Sequence, residues 1–91
     1  MIGGSMLLKG KKVVVVGGSS GIGLATAAMA VSEGAEVIVA SRNAERLDAA
    51  AKRIGAAAIS ADVTSDQSVS ELFRRSGAVD HVVVTAAQLK T

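Results

Sequence analysis

Val13-Val14-Val15-Val16-Gly17-Gly18-Ser19-Ser20-Gly21-Ile22-Gly23 is a run of four β-branched residues that breaks into glycines and resumes as a helix-forming stretch. Uninterrupted apolar character, rather than alternation, is what a strand buried on both faces requires. Residues 21–33 are rich in Ala, Leu and Met and read as a helix, stopped by Gly34 where a left-handed residue is favoured. The first N–H groups of such a helix have no intrahelical partner, and its dipole favours negative charge there. Glycines at the turn let the main chain approach a pyrophosphate without a Cβ in the way, and let the helix pack close to the strand. The spacing is Gly-x3-Gly-x-Gly, which differs from the general G-x-G-x-x-G fingerprint. No Gly-Lys-Ser/Thr follows, so the turn is not a Walker A loop.

Outward from this turn the pattern repeats. Residues 35–40 (AEVIVA) form a second strand. Asn43 is a good N-cap for a helix over 44–54, with Glu45 in its first turn and Gly55 closing it. Residues 56–61 are a weaker, alanine-rich third strand. Thr64-Ser65-Asp66-Gln67 fits a capping box with Thr64 at the cap, and the helix that follows sets Val69, Leu72 and Phe73 on one face until Gly77 ends it. Residues 79–84 (VDHVVV) make a fourth strand. Strands alternating with helices of this length imply an α/β fold with a parallel sheet and right-handed crossovers. A sheet of valine and alanine packs closely but buries little area per residue, so stability is expected to be modest. Ala25 and Met29 read as helix–sheet packing, Arg74 and Arg75 as cations favoured at a helix C-terminus, and His81 as a structural or solvated residue at the far end of the sheet.

Composition removes whole classes of chemistry. The 91 residues allow one domain, here residues 9–91, with residues 1–8 as lead-in, the first five reading as a linker or expression scar. Half the residues (49%) are apolar, enough for a globular core, and the chain lacks cysteine and tyrosine and has a single histidine. Disulfides, thiol catalysis, thiolate-bound zinc and poly-His metal sites are therefore excluded, as is any phenolic acid or base. The net charge is only +2, and no aromatic side chains interleave with the scattered cations, which argues against nucleic acid. No apolar run approaches the ~20 residues of a bilayer span, and no secretory pattern opens the chain. The expected setting is soluble and cytoplasmic, with no metal and no membrane.

Gly17 to Gly23, GGSSGIG, resembles the cofactor loop of the short-chain dehydrogenase/reductase family, written TGxxxGIG, with Val16 where that family commonly has threonine. The resemblance implies a Rossmann-like sheet of four strands in the order 3-2-1-4 with three helices, half of the family's full fold. It implies that Gly17, Ser19, Ser20, Gly21, Ile22 and Gly23 line a nicotinamide dinucleotide. After the second strand stand Ser41, Arg42 and Asn43. A carboxylate there would accept from a ribose 2′-OH, whereas a guanidinium pairs bidentately with a 2′-phosphate; the implied cofactor is NADP(H), bound weakly. Asp62 and Val63 resemble the family's adenine-contacting pair, Thr64 as the cap leaving the Asp62 side chain free for that task; the alternative is that Asp62 caps the same helix end. Ala86 falls in the place of the family's Asn-Asn-Ala-Gly stretch, whose amides are missing here at Val84 and Thr85.

The family's hydride-transfer machinery, a serine and a Tyr-x-x-x-Lys pair, lies beyond the fourth strand. With no tyrosine anywhere, no catalytic residue is assigned and the chain alone is expected to be inactive. The implied strand order leaves the fourth strand as an open apolar edge, and helices that cover one sheet face in the family are not accounted for. Self-association, through that strand or that face, is the expected partnership. The competing reading is a self-associating structural fragment that keeps the glycine turn for folding and binds no nucleotide.

Overall fold

The computed structural model describes residues 8–17, 21–62 and 64–84. The element order is β1 (Lys12–Val16), α1 (Gly21–Ser32), β2 (Glu36–Ser41), α2 (Ala44–Ile54), β3 (Ala57–Ser60), α3 (Asp66–Ser76) and β4 (His81–Val84). The strands form one parallel sheet ordered β3-β2-β1-β4, the expected arrangement.

All four valines of β1 are buried. Because side chains alternate across a sheet, they supply two cores. Val13 and Val15 join Val37, Val39, Ala27 and Leu47 beneath α1 and α2, and Val14 and Val16 join Ile38, Ala40, Ala61 and Leu72 beneath α3. Neighbouring strands hold this register, with Val14 opposite Ile38 on one side and Val82 on the other. Leu47 and Leu72 are the largest fully buried side chains among the described residues; each is the anchor of its helix on the sheet.

Helix ends follow local chemistry. Asn43 caps α2, its side chain accepting from the Arg46 N–H at 3.0 Å. Gly55 closes that helix in the left-handed region at φ 80°. A Cβ there would meet Val31 at an ordinary 3.8 Å, so backbone conformation rather than crowding calls for glycine. The cap of α3 differs from expectation: it is Ser65, whose hydroxyl accepts from the Ser68 N–H at 3.2 Å, and not Thr64. Thr64 is held instead by Asp62, which takes both its N–H and its hydroxyl. A second correction concerns α1. Ala25 and Met29 point to solvent rather than onto the sheet, because the buried line of that helix runs through Gly23, Ala27 and Ala30.

Lys12 fixes the entry of β4. Its N–H donates to Asp80 Oδ2 at 2.8 Å and its carbonyl accepts from the Asp80 N–H at 2.9 Å. Its ammonium donates to the Ser76 carbonyl at 2.6 Å, satisfying an orphan acceptor at the end of α3. These contacts set His81 opposite Val13 and hence the register of the whole strand.

With two leucines anchoring two of the three helices, Leu47→Ala and Leu72→Ala are each expected to lower the unfolding free energy by about 3 kcal/mol. The exposed Asp48→Ala change is expected to cost less than about 0.5 kcal/mol. Urea denaturation followed by circular dichroism measures the difference; equal, small losses would show that the helices do not depend on these contacts.

Candidate functional site

Parallel strands in register bring the residues that follow them to one edge. Val16 is opposite Ala40, and Ala40 is opposite Ile59, so Gly17, Ser41-Arg42 and Ala61-Asp62 emerge side by side at the carboxyl ends of β1, β2 and β3. Strand spacing of ~4.8 Å places this row across about 10 Å. Backbone bonds carry the row past the strands: the Gly17 N–H donates to the Ala40 carbonyl at 2.7 Å and the Ala61 N–H to the Ser41 carbonyl at 2.9 Å. Between β1 and β4 the strand order changes direction, since β2 and β3 lie on one side of β1 and β4 on the other. Crevices at such points, outside the carboxyl ends, are where open α/β sheets take ligands.

Gly17 turns the chain out of β1 with φ 92°, a conformation a side chain would strain. α1 begins at Gly21, and a Cβ added there would find no atom within 4 Å. The helix has no acidic residue in its first turn, so no carboxylate of its own offsets the positive end of its dipole. Ile22 is 73% exposed at the same end. Gly23, in contrast, is buried. The space at Gly21 and a helix start without an acidic residue in its first turn fit a diphosphate.

Arg42 and Asn43 are exposed beside this row and Ser41 is half-buried. Asn43 is engaged as the α2 cap, so its side-chain oxygen already has a donor. Asp62 departs from expectation: its carboxylate is not idle. Oδ1 accepts from the Thr64 N–H at 2.9 Å and from the Thr64 hydroxyl at 2.6 Å, while its own N–H donates to Ser68 Oγ at 2.8 Å. The two bonds from Thr64 hold the carboxyl below its ordinary pKa; desolvation opposes them, and the nearby Arg42 guanidinium adds a lesser lowering effect. The Asp-x-Thr spacing is itself a signal for this turn, since an Asp side chain readily bonds the backbone two residues on. Of the remaining expected site residues, Ser19, Ser20, Val63 and Ala86 lie outside the described residues. His81 stands at the opposite edge of the sheet, opposite Val13. Among the described residues there is no cluster of metal-ligating side chains and no helix long and apolar enough to cross a membrane.

The sequence profile of the short chain dehydrogenase family matches residues 11–91. The chain is 44% identical over 84 residues to a 3-dehydrosphinganine reductase of Arabidopsis thaliana, covering 85% of this chain and 25% of that protein. It is 43% identical over 88 residues to a sorbitol dehydrogenase of Cereibacter sphaeroides, covering 90% of this chain and 34% of that one. Among solved structures, a short chain dehydrogenase from Mycobacterium smegmatis superposes with a TM-score of 0.85 at 33% identity, over 91% of this chain and 38% of that one. Another short chain dehydrogenase/reductase family protein gives 0.80 at 39% identity, over 82% and 33%. The chain thus spans between a quarter and two fifths of the length of these relatives.

Asp62 provides a test of the site's electrostatics. A carboxyl whose pKa falls on folding stabilises the fold fully above its unfolded value, ~3.9, and that contribution is lost as pH falls through the folded value. An NMR titration of the Asp62 carboxyl is therefore expected to show protonation below the ordinary range, and Thr64→Val to move it upward. Identical titrations in the two proteins would show that Thr64 is not the cause.

Proposed function

The chain belongs to the short-chain dehydrogenase family, and we propose that it forms the NADP(H)-binding portion of an oxidoreductase of that family, without hydride-transfer activity of its own. The observation that carries this reading is the row of Gly17, Arg42 and Asp62 at the carboxyl ends of three adjacent strands, beside the bare start of α1. In this arrangement the α1 amides and the glycine turn receive the diphosphate. Arg42 pairs with a phosphate on the adenosine ribose, and the ionised Asp62 accepts from the adenine amino group through Oδ2, Oδ1 being held by Thr64.

Selection of the phosphorylated coenzyme rests on charge. No carboxylate stands among Ser41, Arg42 and Asn43, so no charged acceptor is offered to a free 2′-OH and no anion repels a 2′-phosphate. Arg42 is exposed and its planar guanidinium matches a phosphate bidentately. The bound coenzyme would supply the hydride chemistry. The chain itself has no tyrosine and therefore cannot provide the family's phenolic proton donor. Its residues hold and orient the adenosine half of the coenzyme.

Calorimetric titration with 2′,5′-ADP and with 5′-AMP tests this directly. A shallow half-site is expected to bind 2′,5′-ADP with a Kd of about 0.1–1 mM, about tenfold tighter than 5′-AMP. Arg42→Ala is expected to remove that difference while leaving the weak 5′-AMP affinity in place. Negligible heat for both ligands would leave the glycine turn as a folding element and the chain as a scaffold.

A further inference from the structure

Between β3 and α3 the sequence supplies more capping groups than one helix start uses, and the structure turns the surplus onto Asp62. Ala61 is buried in the core beneath α3 and its N–H is tied to the Ser41 carbonyl, so the chain leaves β3 from a fixed point. The Asp62 N–H donates to Ser68 Oγ at 2.8 Å, and its carbonyl accepts from the Ser65 N–H at 3.0 Å. Ser68 is held in turn, its N–H donating to Ser65 Oγ at 3.2 Å. Thr64 places its N–H and its hydroxyl on one carboxylate oxygen, Oδ1, at 2.9 and 2.6 Å. Among the described residues no hydrogen bond is made to the other oxygen, Oδ2. Arg42 is near enough to favour the charged form, yet no ion pair joins it to Asp62 among the described residues.

We infer that Thr64 is a positioning residue: by holding Oδ1 it leaves Oδ2 as a single acceptor in a fixed place, and so makes the site select adenine, with its exocyclic amino group, over hypoxanthine, with a carbonyl there instead. This role rests on the coenzyme reading proposed above, which requires an ionised Asp62 beside the base but not a fixed one. A free carboxylate offers two equivalent oxygens and turns about its last bond, a freedom it must lose when a donor arrives. Two bonds to one oxygen remove that freedom beforehand, and preorganisation of this kind lowers the cost of binding. An amino group at Oδ2 then gains a charge-assisted hydrogen bond. A carbonyl oxygen in its place sets two acceptors against each other with no proton between them. Threonine suits the task because its N–H and hydroxyl both reach the residue two before it, and its exposed side chain takes no part in the core.

Titration of the 91-residue chain with NADP and with its deaminated form, nicotinamide hypoxanthine dinucleotide phosphate, followed by amide chemical shifts, tests this role. The two coenzymes carry the same phosphates, so ligand charge cancels from the comparison. The unaltered chain is expected to bind NADP about tenfold tighter, the effect of one hydrogen bond to a charged group. Thr64→Val keeps the backbone N–H and removes the hydroxyl, and is expected to bring the ratio below about threefold. Thr64→Ser, which keeps the hydroxyl, is expected to hold it at about tenfold. The preference for 2′,5′-ADP over 5′-AMP, which belongs to Arg42, is expected to stay the same in all three proteins, a result that general disturbance of the turn would not give. Thr64→Ala repeats the removal with a smaller side chain, should valine disturb the fold by circular dichroism. The inference is overturned if the unaltered chain binds both coenzymes equally, if loss of the hydroxyl leaves the ratio unchanged, or if it weakens both coenzymes alike. Where 2′,5′-ADP still binds tighter than 5′-AMP, those results spare the coenzyme reading; no shift with any of the four ligands overturns both.

Discussion

The structure depends on the burial of residues 13–16 from both faces at once. A strand of valines can be shielded on two faces only if helices cross from one side of the sheet to the other as the chain adds strands. Here α1 and α2 cover one face and α3 the other. Once β1 is central, the rest of the geometry follows. Its neighbours must match its register, their carboxyl ends must align, and the glycine turn that ends β1 must open into the start of a helix at that aligned edge.

The two ends of the sheet have correspondingly different chemistry. At the amino end Lys12 joins Asp80, Ser76 and Glu36 in a polar clamp that fixes the entry of β4. At the carboxyl end a second set of bonds joins Asp62, Thr64, Ser65 and Ser68, and the Arg42 side chain is exposed beside it. Asp62 is an acid at that edge, and Thr64 favours its ionised form. A site that holds a carboxylate charged beside an arginine is suited to a ligand with both an anionic group and a hydrogen-bond donor, which is how adenosine phosphates present themselves.

How far the sequence anticipates this structure depends on whether one local rule acts alone. Residues 44–54 are a helix in both readings because Asn43 and Gly55 leave no competing choice. α3 starts one residue later than the capping-box pattern places it, because Thr64, Ser65 and Asp66 can each cap a helix; the turn made by Asp62 captures Thr64 and passes the cap to Ser65. Met29 faces solvent against expectation because α1 is apolar on almost every side, and periodicity does not say which line of it faces the sheet. Small residues decided that instead: Gly23, Ala27 and Ala30 let the helix approach closely. For the site, Gly17, Arg42 and Asp62 fall together as strand-end residues should, whereas the hydrogen bonds that occupy Asp62 and Asn43 depend on side-chain partners that spacing alone does not rank.

The central claim is that the carboxyl edge of the sheet receives a diphosphate nucleotide, and mapping amide chemical shifts of the isotopically labelled chain as NADP is added tests it most directly. Movement confined to Gly17, Gly21, Ile22, Gly23, Ser41, Arg42 and Asp62, with Lys12, Glu36 and His81 unmoved, is the expected result. Shifts centred on Lys12 and His81, or none at saturating ligand, would contradict it.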